Sequence, residues 1–157
     1  MSMLDENIMR FQVSGLKTRE EVLAYLGQVM VDRGVVYESY PAAVLDRERI
    51  FPTGLQFQNY GIAIPHTDVE HVKKAQLAIM TLDQPVDFYQ MGTSDVVVPV
   101  QVVFMLALKE SHQQLTLLQD LVALLQDSQA MAAICQLPDQ PESQEILGMI
   151  LAQHGIL

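Results

Sequence analysis

Cysteine is almost absent from this sequence. Cys135 is the single one among 157 residues, so no intrachain disulfide can form, which fits a reducing compartment. Its neighbours Met131, Ala132, Ala133 and Ile134 give it an apolar setting, and it reads as a small buried hydrophobe. Basic residues are scarce too: 9 Lys and Arg stand against 19 Asp and Glu, for a net charge of −10. That balance argues against nucleic acid, whose affinity comes from phosphate neutralisation by cations. Any anion bound here must be held by a few local groups working against the global field. Long apolar runs are missing as well. The stretch from Val96 to Leu108 is broken by Pro99 and Gln101 and is too short to span a bilayer. Asp5 and Glu6 precede any apolar run, which does not fit a signal peptide. The expectation is a soluble, cytoplasmic protein without direct membrane insertion. There are no repeats, low-complexity tracts or linker-like segments.

Half of the residues are hydrophobic and the mean hydropathy is +0.18. A chain of this length is expected to form one domain, residues 1–157, burying about 68–70% of its unfolded surface. A helix is predicted from Thr18 to Arg33: Thr18 and Glu21 form a capping box, Val22, Leu26, Val29 and Met30 supply a stripe, and Gly34 stops it. A short second helix is predicted from Pro41 to Glu48, then a non-periodic loop from Arg49 to Tyr60. Strands are predicted at Gly61–Ile64 and Ala75–Leu82, with a short edge strand at Val86–Tyr89. Val97 to Leu108 is β-branched with little alternation, as a central strand covered on both faces should be. Helices follow at Ser111–Gln126 (stripe Leu115, Leu118, Val122, Leu125), near Ser128–Cys135, and at Pro141–Gln153 (stripe Ile146, Leu147, Ile150, Leu151). Strands interleaved with helices in this way define an α/β sandwich.

The chemistry concentrates where strands end. In Gly61-Ile62-Ala63-Ile64-Pro65-His66-Thr67-Asp68, Pro65 cannot donate to a sheet ladder, so pairing should stop there and His66 should be held just beyond on a stiff backbone. His112 follows the central strand. Ser111 and Gln114 fit a capping pattern that places it in the first turn of the long helix. Ligands of open α/β sheets bind outside the carboxyl ends of strands; if the two strands are parallel, both imidazoles emerge at one edge. Helix N–H groups and the macrodipole favour an anion there and disfavour a protonated His112. A neutral His66 would keep one ring nitrogen as a nucleophile while the other is fixed by its own hydrogen bond. Together these parts suggest phosphoryl transfer. Each residue also has a plainer reading: His66 as a loop residue, His112 as an exposed first-turn side chain, Arg47 as a solvated ion-pair former. The run His66-Thr67-Asp68-Val69-Glu70-His71 looks like a metal cluster. On a helix, however, positions five apart diverge by about 140°, and no other compact Cys/His set exists, so no metal is expected.

This combination resembles the enzyme IIA domains of the fructose, mannitol and nitrogen-regulatory group of the bacterial phosphotransferase system, over essentially the whole chain. GIAIPH, ending in His66, matches the family's phosphorylated histidine. Arg47, in Leu45-Asp46-Arg47-Glu48, matches the arginine beside it, and His112, in Lys109-Glu110-Ser111-His112-Gln113-Gln114-Leu115, matches a second active-site histidine. The resemblance implies a mixed, largely parallel sheet flanked by helices on both faces. It implies that phosphate comes from phosphohistidine on the carrier HPr, goes to His66, and passes to a cysteine of a cognate enzyme IIB. The sugar is then met by the membrane enzyme IIC, and no cofactor or metal is needed at this step. The loop between Arg47 and His66 is longer than in the mannitol type, and Phe51-Pro52-Thr53-Gly54 looks like the galactitol-type branch, some of whose members lack the second histidine. Phe51, Leu55 and Phe57 in that loop are candidates for an apolar partner-facing surface, or else pack inward as anchors. A regulatory module phosphorylated on His66 without any transport role is the alternative reading.

Overall fold

The structure, a computed structural model, describes residues 7–156, the side chains of residues 111–114 excepted. The first element among the described residues is a strand, β1 (Ile8–Val13), which the sequence reading did not predict, followed by helices α1 (Arg19–Asp32) and α2 (Tyr40–Ile50). Strands β2 (Gly54–Gln56) and β3 (Gly61–Ala63) follow, then a 3₁₀ turn (Val69–His71). Next come the long strands β4 (Gln76–Tyr89) and β5 (Val97–Ala107), and helices α3 (Ser111–Gln126), α4 (Ser128–Gln136) and α5 (Pro141–Gln153). The sheet runs β1-β4-β5-β3-β2. It is mixed, as expected, but its pairings divide evenly rather than falling largely parallel. β1/β4 and β3/β5 are parallel, while β4/β5 and β2/β3 are antiparallel.

Helices cover both faces. On β5, Val102, Phe104 and Leu106 belong to one core with Leu117, Leu121, Met131, Leu147 and Leu151. Val103, Met105 and Ala107 point into the other, with Leu23, Leu26, Met30, Tyr40 and Val44. Burial on both sides of a central strand is why its apolar pattern barely alternates. Among the described residues, no helix is long and apolar enough to cross a membrane.

The α1 cap forms as the sequence predicts, with Thr18 Oγ1 accepting from the Glu21 N–H at 3.1 Å, and Gly34 takes a φ of +76° beyond the helix end. Four expectations need correction. α2 continues past Glu48 to Ile50. The stretch expected as a loop contains β2, paired with β3 from Gly54↔Ala63 to Gln56↔Gly61. Val86–Tyr89 is no separate edge strand but the continuation of β4 across an irregularity, paired with β5 from Val86↔Val100 to Tyr89↔Val97. Finally, α3 buries Leu117, Leu121, Leu124 and Leu125, whereas Leu115 and Val122 are 61% and 47% exposed. That helix carries leucines on more than one face, so periodicity alone could not choose between stripes; docking on the sheet does. In α5 the same choice buries Leu147 and Leu151 and exposes Ile146.

The last helices are tied by a titratable pair. Asp127 caps α4, accepting from the Ala130 N–H at 3.1 Å. It also accepts from His154 Nε2 at 3.0 Å, while His154 Nδ1 donates to the Ile150 carbonyl at 2.9 Å. With acceptors on both ring nitrogens, the imidazolium is favoured. The Ile150 carbonyl and then Asp127 raise the His154 pKa above 6.5. The Ala130 N–H and then His154 hold Asp127 below 3.8. The histidine's contribution is complete below pH 6.5 and is lost as pH rises through its elevated pKa. The aspartate's contribution is present above 3.8 and is lost as pH falls through its depressed pKa. The melting temperature deficit of His154→Ala should therefore be largest between about pH 4 and 6.5 and should shrink in alkaline buffer. A pH-independent deficit would show that the pair contributes packing alone.

Candidate functional site

β3 is only three residues long, yet it is paired on both sides. Ile62 and Ala63 align in parallel with Val102 and Val103 of β5, so both strands leave the sheet at the same edge. That places His66, beyond β3, and the first turn of α3, beyond β5, at one end of the molecule. Pairing stops as Pro65 predicts. The Ile64 N–H donates to the Thr53 carbonyl at 3.3 Å, and the Pro65 carbonyl instead accepts from the Leu106 N–H at 3.0 Å. Leu106 is held in turn by the buried Tyr40, whose hydroxyl donates to its carbonyl at 2.6 Å; burial also pushes the Tyr40 pKa up. The backbone that presents His66 is therefore clamped to both a strand and a helix.

His66 is half-buried. Its Nδ1 lies 3.0 Å from the Ile64 carbonyl. A carbonyl can only accept, so Nδ1 carries the proton and the neutral ring keeps its lone pair on Nε2. The imidazole opens into a hollow of about 530 Å³ lined by Arg47, His66, Thr67, Asp68, Leu108 and Leu118, among others. Arg47, from the last turn of α2, brings its guanidinium 3.6 Å from Asp68 and 5.0 Å from the centre of the Phe51 ring. Its Nε is buried with no hydrogen-bond partner. A second hollow of about 490 Å³ shares Arg47, Thr67 and Asp68 and is otherwise lined by residues including Ser39, Phe51 and His71.

Arg47 and His66 thus line one hollow. The backbone of His112 lies in the first turn of α3; its side chain, and the Ser111–Gln114 capping pair, lie outside the described residues. The N-cap position falls one residue earlier than Ser111, at Glu110, whose side chain makes no capping bond. His71 does not join His66. Its Nδ1 is 2.8 Å from Ser39 Oγ in the second hollow, and among the described residues no metal-like group of three or more His, Cys, Asp or Glu side chains assembles.

The loop that leads to β3 is locked by a pair the sequence reading missed. Buried Glu48 accepts from the Thr53 N–H and from Thr53 Oγ1, both at 2.8 Å. Its pKa is raised by burial, an effect the Thr53 bonds and Arg19 oppose. Of the three apolar loop residues, Phe51 faces outward at 58% exposure beside Ile50 at 69%. Leu55 and Phe57 pack inward against the core, Phe57 stacking on Tyr60 with ring centres 5.1 Å apart. Cys135 is half-buried, and burial raises its thiol pKa.

The architecture is that of a phosphotransferase-system enzyme IIA. The chain superposes on one chain of a complex of enzyme IIA-Mtl and phosphorylated enzyme IIB-Mtl from Escherichia coli, with a TM-score of 0.70 and 24% identity over 94% of this chain and 96% of that one. It also matches the nitrogen regulatory protein IIA-Ntr of Neisseria meningitidis, with a TM-score of 0.67 and 18% identity over 92% and 93% of the two chains. Residues 2–151 match the family described as "Phosphoenolpyruvate-dependent sugar phosphotransferase system, EIIA 2", and the chain belongs to that family. It is a phosphocarrier component of that system and, as such, a phosphotransferase. The galactitol-specific EIIA component of Escherichia coli (strain K12) is 35% identical over 121 residues, 77% of this chain and 80% of that protein.

Proposed function

We propose that residues 1–157 act as one cytoplasmic enzyme IIA domain in which His66 Nε2 accepts a phosphoryl group from phosphohistidine on HPr and passes it to a cognate enzyme IIB. The observation that carries this reading is the Nδ1 bond to the Ile64 carbonyl, which leaves Nε2 nucleophilic and facing the hollow that holds Arg47. In the first transfer the P–N bond of the donor breaks as a P–Nε2 bond forms, and the donor imidazole leaves with the electron pair. In the second, the P–Nε2 bond breaks and its pair returns to Nε2 as the thiolate sulfur of the enzyme IIB cysteine bonds to phosphorus. Both donors are already activated, so the protein contributes alignment and charge stabilisation.

Arg47 supplies an always-charged planar fork for the phosphoryl oxygens. His112, in the dipole-positive first turn of α3, serves as a neutral second donor. Ile50 and Phe51, exposed beside Arg47, give both carriers an apolar patch to dock on, as transient interfaces require a desolvated centre. No metal or nucleotide enters either step. The cargo is a polyol met only by the membrane enzyme IIC, and the galactitol-specific relative makes galactitol its best match.

The decisive experiment is phosphate relay. Incubated with phosphoenolpyruvate, enzyme I and HPr, the chain should take up one acid-labile phosphate. That phosphate should then be lost to a purified galactitol enzyme IIB faster than to a mannitol enzyme IIB. Uptake without transfer to either would refute the transport role; equal transfer would remove the galactitol assignment.

A further inference from the structure

We propose that Asp68 is a positioning residue that draws Arg47 away from the phosphoryl site and so keeps the phosphorylated carrier a ready donor. The inference rests on His66 as the acceptor. Two independent observations converge on Asp68. It stands at the N-cap of the 3₁₀ turn, where an aspartate ordinarily accepts from a backbone N–H of the turn. Here its side chain makes no such bond. The turn closes through the backbone alone, the His71 N–H donating to the Asp68 carbonyl at 3.2 Å and the Val72 N–H to the Val69 carbonyl at 3.0 Å. The carboxylate, free of that duty and largely exposed, pairs with Arg47 Nη1 at 3.6 Å.

The second observation is Arg47 itself. A buried N–H without an acceptor is costly and calls for an explanation, and Arg47 Nε is such a group. Arg47 and Asp68 both line the His66 hollow and the hollow next to it, so the guanidinium sits on the wall between them. Its donors are fixed in one plane: one end serves Asp68, and Nε is left waiting. A phosphoryl group on His66 Nε2 would bring strong acceptor oxygens and about two negative charges into the same hollow. Arg47 is then shared between two anions. Asp68 weakens the arginine's hold on the phosphoryl group and thereby makes the phosphohistidine easier to discharge. Asp68 forms no bond to phosphorus and moves no proton; it acts through Arg47.

Asp68→Asn removes the charge at constant size, and because the carboxylate caps nothing, the melting temperature should fall by no more than about 2–4 °C, the scale of one exposed ion pair. Equilibrated with HPr from both directions, the variant should hold more phosphate than the parent, by about fivefold, the scale of an exposed ion pair. It should also release phosphate to enzyme IIB more slowly. Asp68→Glu should restore the parent equilibrium, and high salt should narrow the gap between parent and Asp68→Asn. In an Arg47→Gln background the Asp68→Asn shift should largely disappear, since the two residues then share no coupling. An unchanged equilibrium with His66 still phosphorylated would overturn the role of Asp68 and leave the acceptor assignment intact. A full shift in the Arg47→Gln background would overturn action through the arginine. A parent chain that takes no phosphate on His66 would remove the underlying reading as well.

Discussion

His66→Ala should take up no phosphate from phospho-HPr while its fold and melting temperature stay close to those of the parent. The side chain is half-buried and, among the described residues, its one protein bond is to the carbonyl two residues back, so little of the core depends on it. The loss should be complete, because no other described histidine offers an equivalent nitrogen. Both ring nitrogens of His154 are engaged, by Ile150 and Asp127. His71 has Ser39 on Nδ1, and the Glu70 carboxylate lies 3.7 Å from Nε2, where it repels an incoming phosphoryl group. Intact-mass measurement before and after brief acid treatment reads the result directly. Acid-labile phosphate on His66→Ala would move the nucleophile elsewhere and dismantle the mechanism.

How much of this was legible in the sequence depends on the range of the interaction involved. Pro65 declared the end of β3 because the missing N–H is a property of one residue, and the Thr18 cap because its partner is three residues away. The mixed sheet with helices on both faces followed from the alternation of apolar segments. β1 escaped because Arg10 interrupts its apolar run and Gln12 takes a φ of +51°. It exists through its pairing with β4, Ile8↔Ala78 onwards, which no local pattern encodes. β2 escaped because its Gly-Leu-Gln sequence has almost no strand signal of its own; Glu48 and Thr53 fix the chain that leads into it. The approach of Arg47 to His66 could be named by resemblance, but its sharing with Asp68 could not. Asp68 caught the eye only as a member of a metal-like run. The signal that would have singled it out, a capping residue that caps nothing, is visible only once the turn is drawn.

The second large effect is expected at Gly61, which contributes no chemistry at all. A Cβ on Gly61 would collide with the Pro99 carbonyl oxygen and lie 2.9 Å from both the Pro99 carbonyl carbon and Val98 Cγ1. Two of those three atoms belong to the backbone of β5, the central strand, so no rotamer change can relieve the clash. β3 must shift instead, and β3 pairs in register with β5 at Ile62↔Val102 and Ala63↔Val103. Gly61→Ala should therefore destabilise the protein by about 2–3 kcal/mol, the usual cost of forcing extra volume into a packed site. For a domain of this size that lowers the melting temperature by roughly 5–10 °C. The same displacement moves His66, which lies three residues beyond the end of β3, and a misplacement of about 1 Å in a reacting group can cost ~10²-fold in rate. Phosphate acceptance by the folded variant should fall accordingly, although its nucleophile is untouched. Gly148 in α5 supplies the contrast, for a Cβ there meets nothing within 4 Å. Gly148→Ala should raise stability by about 0.5–1 kcal/mol, the helical preference of alanine over glycine, and leave transfer unchanged. Equal melting temperatures for the two variants would show that β3 yields freely and that its close approach to β5 does not position the histidine.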